Sequence, residues 1–424
     1  MLTKSIFIFL ILMSLNSEIQ SQWIKYNAIN SNSLDLTDIQ FVNENTGFAV
    51  GGFPSDTIFL KTTNAGLNWS RYYINSGDSA FITYYNSIYF IDENLGFLCG
   101  GGKYIFKSTN GGINWNGISV PFLGPSQTYN DIQFVNSTTG YAIGRYGYLI
   151  KTTNNGESWD SIYKAINDLH CLQFIDEKIG FIADVNNNFY STTNSGMNWT
   201  IKKINFNYSP FSISFIDRNT GFLAGYNANF QRALLKTTNG GENWAIVLSG
   251  TGWFNDINMI NENTGIVLGY IGDTNSFLTT NGGNSWNYYK IGKLTNQSYL
   301  KSNFLNLNTG FITSTQGNIY KSTNTGVNII NISSVTPENF ELYQNYPNPF
   351  NSTTIIKFDI RNKDKYSLKI YNILGQVIIE NNFRNLEPGE YQYNLFLENY
   401  SSGIYFYELS SNNYQKIKNM ILIK

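Results

Sequence analysis

The sequence predicts an all-β chain, a seven-bladed β-propeller followed by a small immunoglobulin-like β-sandwich. Three observations carry this. One unit recurs seven times between Asp38 and Ile329, its closing residues spaced by 40 to 46 positions. Every unit is a succession of strand-type runs with no helix-period segment between them, and units of this kind bury their faces by stacking radially. After Ile329 the repeat stops, and short apolar-polar alternations separated by Gly, Pro and Asn turns take over.

The elements follow in chain order. Met1-Leu2-Thr3-Lys4 and the apolar run Ser5 to Leu15 have the charge and length of a signal peptide, expected over residues 1–21, and are too short for a membrane span. No other segment is long and apolar enough to cross a bilayer as a helix. The propeller is expected over 22–330. Its opening run, Gln22-Trp23-Ile24-Lys25-Tyr26, resembles Asn68-Trp69-Ser70-Arg71-Tyr72, the start of a fourth strand, yet no blade precedes it. The seventh unit ends in Ile329 where a Trp is expected, so the N-terminal run is read as the outer strand of blade seven, hiding an open edge.

Within each unit a strand such as Asp38-Ile39-Gln40-Phe41 leads through an Asn/Asp-x-x-x-Gly turn into a Phe/Ala/Val-rich second strand. It recurs from Ser87, Asp131, Cys171, Ser212, Asp256 and, more weakly, Lys301. The third strand enters a turn of the form Ser/Thr-x-Asn-x-Gly-x-x-Trp, and the fourth follows it. The turn residues are Asn64, Gly66 and Trp69, then Asn110 with Trp115, Asn154 with Trp159, Asn194 with Trp199, Asn239 with Trp244 and Asn281 with Trp286. The Asn side chain bonds backbone groups of its own loop, Gly supplies a positive φ, and the Trp covers the hairpin. This turn resembles the Asp-box, or BNR, repeat of sialidases, sortilin-type receptors and the photosystem II stability/assembly factor family, with Asn in place of the usual Asp. The resemblance implies fold and says almost nothing of function, since in those families the box lies far from any catalytic centre.

Residues 331–339 read as a linker and 340–424 as the sandwich, with strands expected at Thr353–Ile360, Tyr366–Tyr371, Val377–Glu380, Tyr391–Phe396, Ile404–Leu409 and Lys416–Leu422. Four motifs occur in order: the run from Leu342 to Asn351 containing Asn345, Pro347, Asn348, Pro349 and Phe350; Tyr371 to Val377 around Gly375; Ser402 to Phe406 around Gly403; and Lys418 to the terminal Lys424. Together they resemble the type A C-terminal sorting domain of the type IX (Por) secretion system. The resemblance implies export through the periplasm of a Gram-negative cell to its surface or beyond, with the type IX machinery as partner and the domain commonly removed on the way.

Composition narrows the function classes. The formal net charge is -1 with 13% charged residues, so no basic stripe can engage a phosphate backbone and nucleic acid is not expected as a partner. Cys99 and Cys171 lie a whole blade apart, too far for a disulfide, and read as buried free thiols. With one His and two distant Cys no zinc cluster forms, and neither metal nor cofactor is expected. His170 falls in a strand slot filled elsewhere by Asn86, Asn130 and Asn255 and reads as structural. Acid pairs such as Asp92-Glu93 repeat in a surface turn. Asp184 to Asn188 has the oxygen spacing of a calcium loop start but carries Phe189 and Ser195 where Gly and Glu are needed, so it reads as a hairpin. A sialidase needs several converging arginines, and the propeller has four dispersed ones.

Aromatic residues remain. Tyr85, Tyr129, Phe254 and Tyr299, with Trp253 beside them, stand where one blade passes to the next, and are expected to line a face of the ring as a ligand-binding surface for a glycan or an extended peptide. No catalytic residue is expected. The reading is a secreted or surface-displayed binding or interaction module. The alternatives are a secreted polysaccharide-active hydrolase or lyase and an assembly factor like the photosystem II family.

Overall fold

A computed structural model describes residues 23–424 apart from 30–33, 54–55, 75–83, 122–127, 228, 271–275, 290, 292–297, 307–308, 323–328, 334 and 398–399. The expected signal peptide and the seventh turn after Ser322 lie outside the described residues. Seven four-stranded antiparallel sheets follow one another, each built inner to outer. Blade one is Leu36–Phe41, Gly47–Phe53, Asp56–Thr62 and Ser70–Tyr72; blade five is Ser209–Phe215, Gly221–Tyr226, Gln231–Thr237 and Ala245–Thr251. Each inner strand packs on the next, and that of blade seven, Tyr299–Phe304, packs on that of blade one, which closes the ring.

Closure is sequence-encoded as expected. Trp23–Asn27 pairs with Asn318–Ser322 in the register Trp23 to Ser322 and Asn27 to Asn318, completing blade seven as its outer strand. The chain thereby covers an edge that would otherwise recruit another strand. The seam has its own core, in which Phe311 and Ile319 of blade seven pack with Leu36, Ile39 and Phe41 of blade one.

Two devices make the blades cohere, and both explain the sequence pattern. At five of the seven blade junctions the aromatic that ends an inner strand stacks on the ring following the Gly of the preceding blade's second strand. Phe48 lies 3.5 Å from Phe90, Phe97 4.1 Å from Phe134, Tyr141 3.9 Å from Phe174, Phe181 3.7 Å from Phe215, and Phe311 3.5 Å from Phe41. Such a pair contributes roughly 0.5–1.5 kcal/mol beyond burial. A Cβ on Gly47 would sit 2.6 Å from the Phe41 ring, which is why that strand opens with Gly.

The Trp turns supply the second device. In blade three the Thr152 hydroxyl donates to Asn154 Oδ1 (2.8 Å) and accepts from Gly156 N–H (3.0 Å), while Asn154 Oδ1 accepts from Ser158 N–H (3.1 Å). Asn155 and Gly156 take φ of 58° and 71°, and Trp159 meets Phe134 edge-on at 5.8 Å. The other five described turns repeat these bonds.

The tail has two sheets. One contains Gly389–Phe396, Thr353–Ile360 and Glu341–Leu342; the other runs Val377–Leu386, Asp364–Tyr371, Gly403–Ser410, Gln415–Leu422. The linker expected at 331–339 begins later than its composition suggests, because Ile329–Ser333 is a strand. Asn345 explains the first tail motif: its Nδ2 donates to Pro347 O (3.1 Å) and Thr354 Oγ1 (2.9 Å), and its N–H to the Tyr407 hydroxyl (2.8 Å). Asn348 Oδ1 accepts from Ile421 N–H at 2.9 Å, and Phe350 N–H donates to Ile421 O at 3.0 Å. The first motif is thus fastened to the last strand. Gly375 turns a hairpin at φ 73° with open space where a Cβ would stand.

Candidate functional site

Every inner strand has a register irregularity near its start, between Leu36 and Asp38 in blade one and between Tyr85 and Ser87 in blade two. Such a bulge turns two consecutive side chains toward the same side. Here that side is the central channel, where a cavity of about 240 Å³ is lined by Thr37 and Asp38, Asn86 and Ser87, Asn130 and Asp131, His170, Phe211, Asn255, Leu300 and Lys301.

In five blades the first of these positions is an interblade staple. Thr37 Oγ1 donates to Tyr85 O (2.8 Å), Asn86 Nδ2 to Tyr129 O (3.0 Å), Asn130 Nδ2 to Leu169 O (2.7 Å) and Asn255 Nδ2 to Tyr299 O (2.8 Å). His170 Nδ1 stands 3.1 Å from Pro210 O, filling the same role, and burial pulls its pKa down.

The second residues form a ring in which carboxylates take up amides of the following blade. Asp38 accepts from Ile39 and Ile88 N–H and from Ser87 Oγ, all at 2.9 Å. Asp131 accepts from Ile132 N–H at 2.9 Å and Leu172 N–H at 3.0 Å. Asp256 accepts from Ser212 Oγ, Ser302 N–H and Ser302 Oγ, with Lys301 Nζ 3.2 Å away. Burial raises Asp38 to about 6, against the pull of Lys301 and the Ile88 amide, and raises Asp131 by the same cause. Lys301 loses charge stability to burial but gains more from Asp256, Asp38 and Asp131, so it is held protonated. Two strand positions deeper, Gln40 and Gln133 donate to Phe90 O (3.1 Å) and Phe174 O (2.9 Å). Among the described residues no cluster of three His, Cys, Asp or Glu is arranged to hold a metal ion.

The aromatic face expected from the sequence needs correction. Tyr85, Tyr129, Phe254 and Tyr299 are 2%, 0%, 0% and 1% exposed. They precede the bulge, so they point into the interblade core. Tyr129 OH donates to Pro121 O (3.0 Å), Tyr299 meets Tyr320 edge-on at 5.4 Å, and burial pushes the Tyr85 phenol up to about 12. Asn86, Asn130 and Asn255, which follow three of these positions, spend their donors on the next blade. Trp253 alone is half-buried, and it belongs to a different group of rings. His170 lies 4.7 Å from Phe211, Phe211 4.9 Å from Tyr226, Tyr226 6.0 Å from Trp253, and Trp253 4.6 Å from Tyr270 and 6.1 Å from Phe230. All but the exposed Phe230 are half-buried. A signal for them was present: Phe211 replaces the Thr/Asn/His staple, and Tyr226 and Tyr270 follow the second-strand glycines Gly225 and Gly269.

The cysteines and the Asp184 segment are placed as expected. Cys99 and Cys171 are free and buried. Asp184 closes a hairpin, its Oδ1 accepting from Asn186 and Asn188 N–H at 2.9 Å and its Oδ2 from Tyr190 OH at 2.8 Å. No helix among the described residues is long and apolar enough to cross a membrane.

Comparison with known proteins agrees with this architecture. Residues 15–121, 83–205 and 191–336 match the family described as photosynthesis system II assembly factor YCF48, and 344–424 match the secretion system C-terminal sorting domain. Similar solved structures include YCF48 bound to a D1 peptide (17% identity, 71% of this chain and 94% of that one, TM-score 0.57) and YCF48 from Cyanidioschyzon merolae (16%, 71% and 98%, 0.57). PorZ, a surface component of the type IX secretion system of Porphyromonas gingivalis, covers more of this chain (10% identity, 92% of this chain and 59% of that one, 0.55). Identities at this level carry the fold alone. No curated protein matches the sequence. The tail marks the chain for export by type IX secretion to the cell surface or outside. The chain belongs to the YCF48-like family of BNR-repeat propellers, and it carries a type IX sorting domain.

Proposed function

We propose that the exported propeller is a non-catalytic binding module whose ligand approaches the channel mouth beside blades four to six. One observation carries this reading. The channel acids, which a hydrolase would need free, are each committed to donors that tie one blade to the next. A carboxyl raised to about 6 is a familiar sign of a general acid. At Asp38 the cause is burial, and its oxygens already accept from Ile39, Ile88 and Ser87. A proton donor to a glycosidic oxygen must reach it within hydrogen-bond distance, and Asp38 is 7% exposed.

The test is an assay of the purified mature chain for release of reducing ends from polysaccharides. No turnover is expected, and Asp38→Asn should change stability only. Turnover abolished by Asp38→Asn at unchanged melting temperature would replace the module with a hydrolase. The export arm is tested by joining residues 340–424 to an inert periplasmic reporter in a type IX-competent host. Surface delivery is expected, and a reporter retained inside would break the link.

A further inference from the structure

The seven repeats give each blade an internal reference, and blades five and six depart from it together. In five blades, blade six among them, the channel-side residue after the first strand position staples the next blade's carbonyl; in blade seven it is Leu300, and in blade five it is Phe211, which stacks instead on Tyr226. Pairing of the first two strands opens one residue pair earlier in these two blades alone, with Ser209 opposite Tyr226 and Trp253 opposite Tyr270. Trp253 and Tyr270 lie at 26° and 4.6 Å, the offset stack that neighbouring strands permit. Phe230, 61% exposed, holds a φ of 55°, a conformation a bulky residue keeps only where its surroundings impose it. The imposing bonds are Phe230 N–H to Asn227 O (3.0 Å) and Gly252 N–H to Phe230 O (2.6 Å).

Building on the binding-module reading, we propose that this chain of rings from Phe211 through Tyr226 and Trp253 to Tyr270 and Phe230 is a platform for a neutral glycan. A sugar ring offers C–H faces that lie against aromatic rings and hydroxyls at its rim that both donate and accept. Carboxamides match those hydroxyls because each carries donors and an acceptor. Beside the rings stand the Asn227 and Gln231 carboxamides, 3.2 Å from each other and solvent-exposed in the case of Gln231. The cation in the same hairpin is withdrawn: Arg232 is 7% exposed, its guanidinium 5.0 Å over the rings of both Phe254 and Phe277. What this hairpin leaves facing outward, Phe230 and Gln231, is aromatic and uncharged, which complements a neutral polymer better than an anionic one. An extended peptide would ask for free backbone partners, and the strand ends here are paired to each other. Export by the tail places this surface where cell-wall and extracellular glycans are met.

The experiment is native gel electrophoresis of the full mature chain through soluble polysaccharides: a β-1,3-glucan, a galactomannan, an arabinoxylan and a xyloglucan, with alginate as the anionic control. A neutral Asn/Ser-rich peptide is titrated in parallel by Trp fluorescence. At least one neutral polysaccharide should retard the protein. Trp253→Ala and Phe230→Asn should weaken that retardation on the order of tenfold or more, as loss of an aromatic anchor does. Tyr73→Ala, an exposed ring on blade one's outer side of the sequence repeat (75% exposed), should leave it unchanged. Phe230→Asn keeps the test sharp if Trp253→Ala folds poorly, since Asn tolerates a positive φ. No retardation by any neutral polysaccharide, or equal retardation of both variants, overturns the platform. Tighter binding of alginate overturns the neutral ligand and tighter binding of the peptide overturns the sugar assignment, each leaving a binding module, whereas reducing-end release would overturn the module itself.

Discussion

Blades two and three and blades five and six are built from one unit, yet they treat their aromatic residues differently. In the first pair the rings that start and end the inner strands are spent inward: Tyr85, Tyr129, Phe90 and Phe134 are all buried against a neighbouring blade. In the second pair the same inward rings persist as Phe215 and Phe254, and a second set, Phe211, Tyr226, Trp253 and Tyr270, remains half-exposed above them. A repeat protein needs each unit to hold its neighbours, so residues shared by all units report stability. Residues added to two adjacent units report something the ring does not need in order to close.

The sharpest way to break this comparison is to attack closure, which every blade shares. Removing Trp23–Asn27 deletes five cross-strand residue pairs. At about 1 kcal/mol net for each bond lost, and 2–4 °C per kcal/mol for a large domain, the melting temperature should fall on the order of 10 °C. An unchanged melting curve would mean that the seam between blades seven and one holds without its outer strand.

Next come the rings themselves. Phe90→Ala empties a stack and should destabilise by about 3–5 kcal/mol in denaturant unfolding, whereas Phe211→Ala should cost under about 1.5 kcal/mol because solvent already reaches it. Equal losses would erase the distinction between inward and outward aromatics.

The channel acids give a pH signature of intermediate size. Asp38 binds its proton more tightly folded (about 6) than unfolded (3.8), so the folded state is favoured when that proton is on. Stability contributed this way is present below the unfolded value and is lost as pH rises from about 4 to about 6, by up to ~3 kcal/mol. Melting temperature should therefore decline across that window, and Asp38→Asn should flatten the decline. A rise in wild-type stability over the same range would show that the donors around Asp38 outweigh its burial.

The smallest expected effect has the opposite sign. Phe230→Asn relieves the positive φ and should leave stability unchanged or raise it by up to about 1 kcal/mol. A clear loss would mean that Phe230 packs as a core residue, against its exposure.

Much of the fold was legible because the repeat states each constraint seven times over. The Asn-Gly-Trp turns, the Gly that receives the Phe41-type ring and the orphan strand at Trp23 are local or register signals, and they survive in one dimension. The candidate site was half legible. The sequence drew attention to the passage between blades, and Trp253 was found there, but Tyr85, Tyr129, Phe254 and Tyr299 were assigned to the wrong side. Their direction depends on a bulge one residue later, and a single-residue shift in a strand exchanges core for surface. No spacing in the sequence marks that bulge.

The sequence by itself determined the number of blades, the strand that closes them and the export address, because each is written in repeated or ordered motifs whose chemistry acts locally. Tertiary structure alone decided which rings face solvent, which carboxylates meet across blades and which cation is tucked away over Phe254. Those outcomes depend on side chains from units 40 to 50 residues apart arriving at one channel, and only the curvature of the closed ring brings them there.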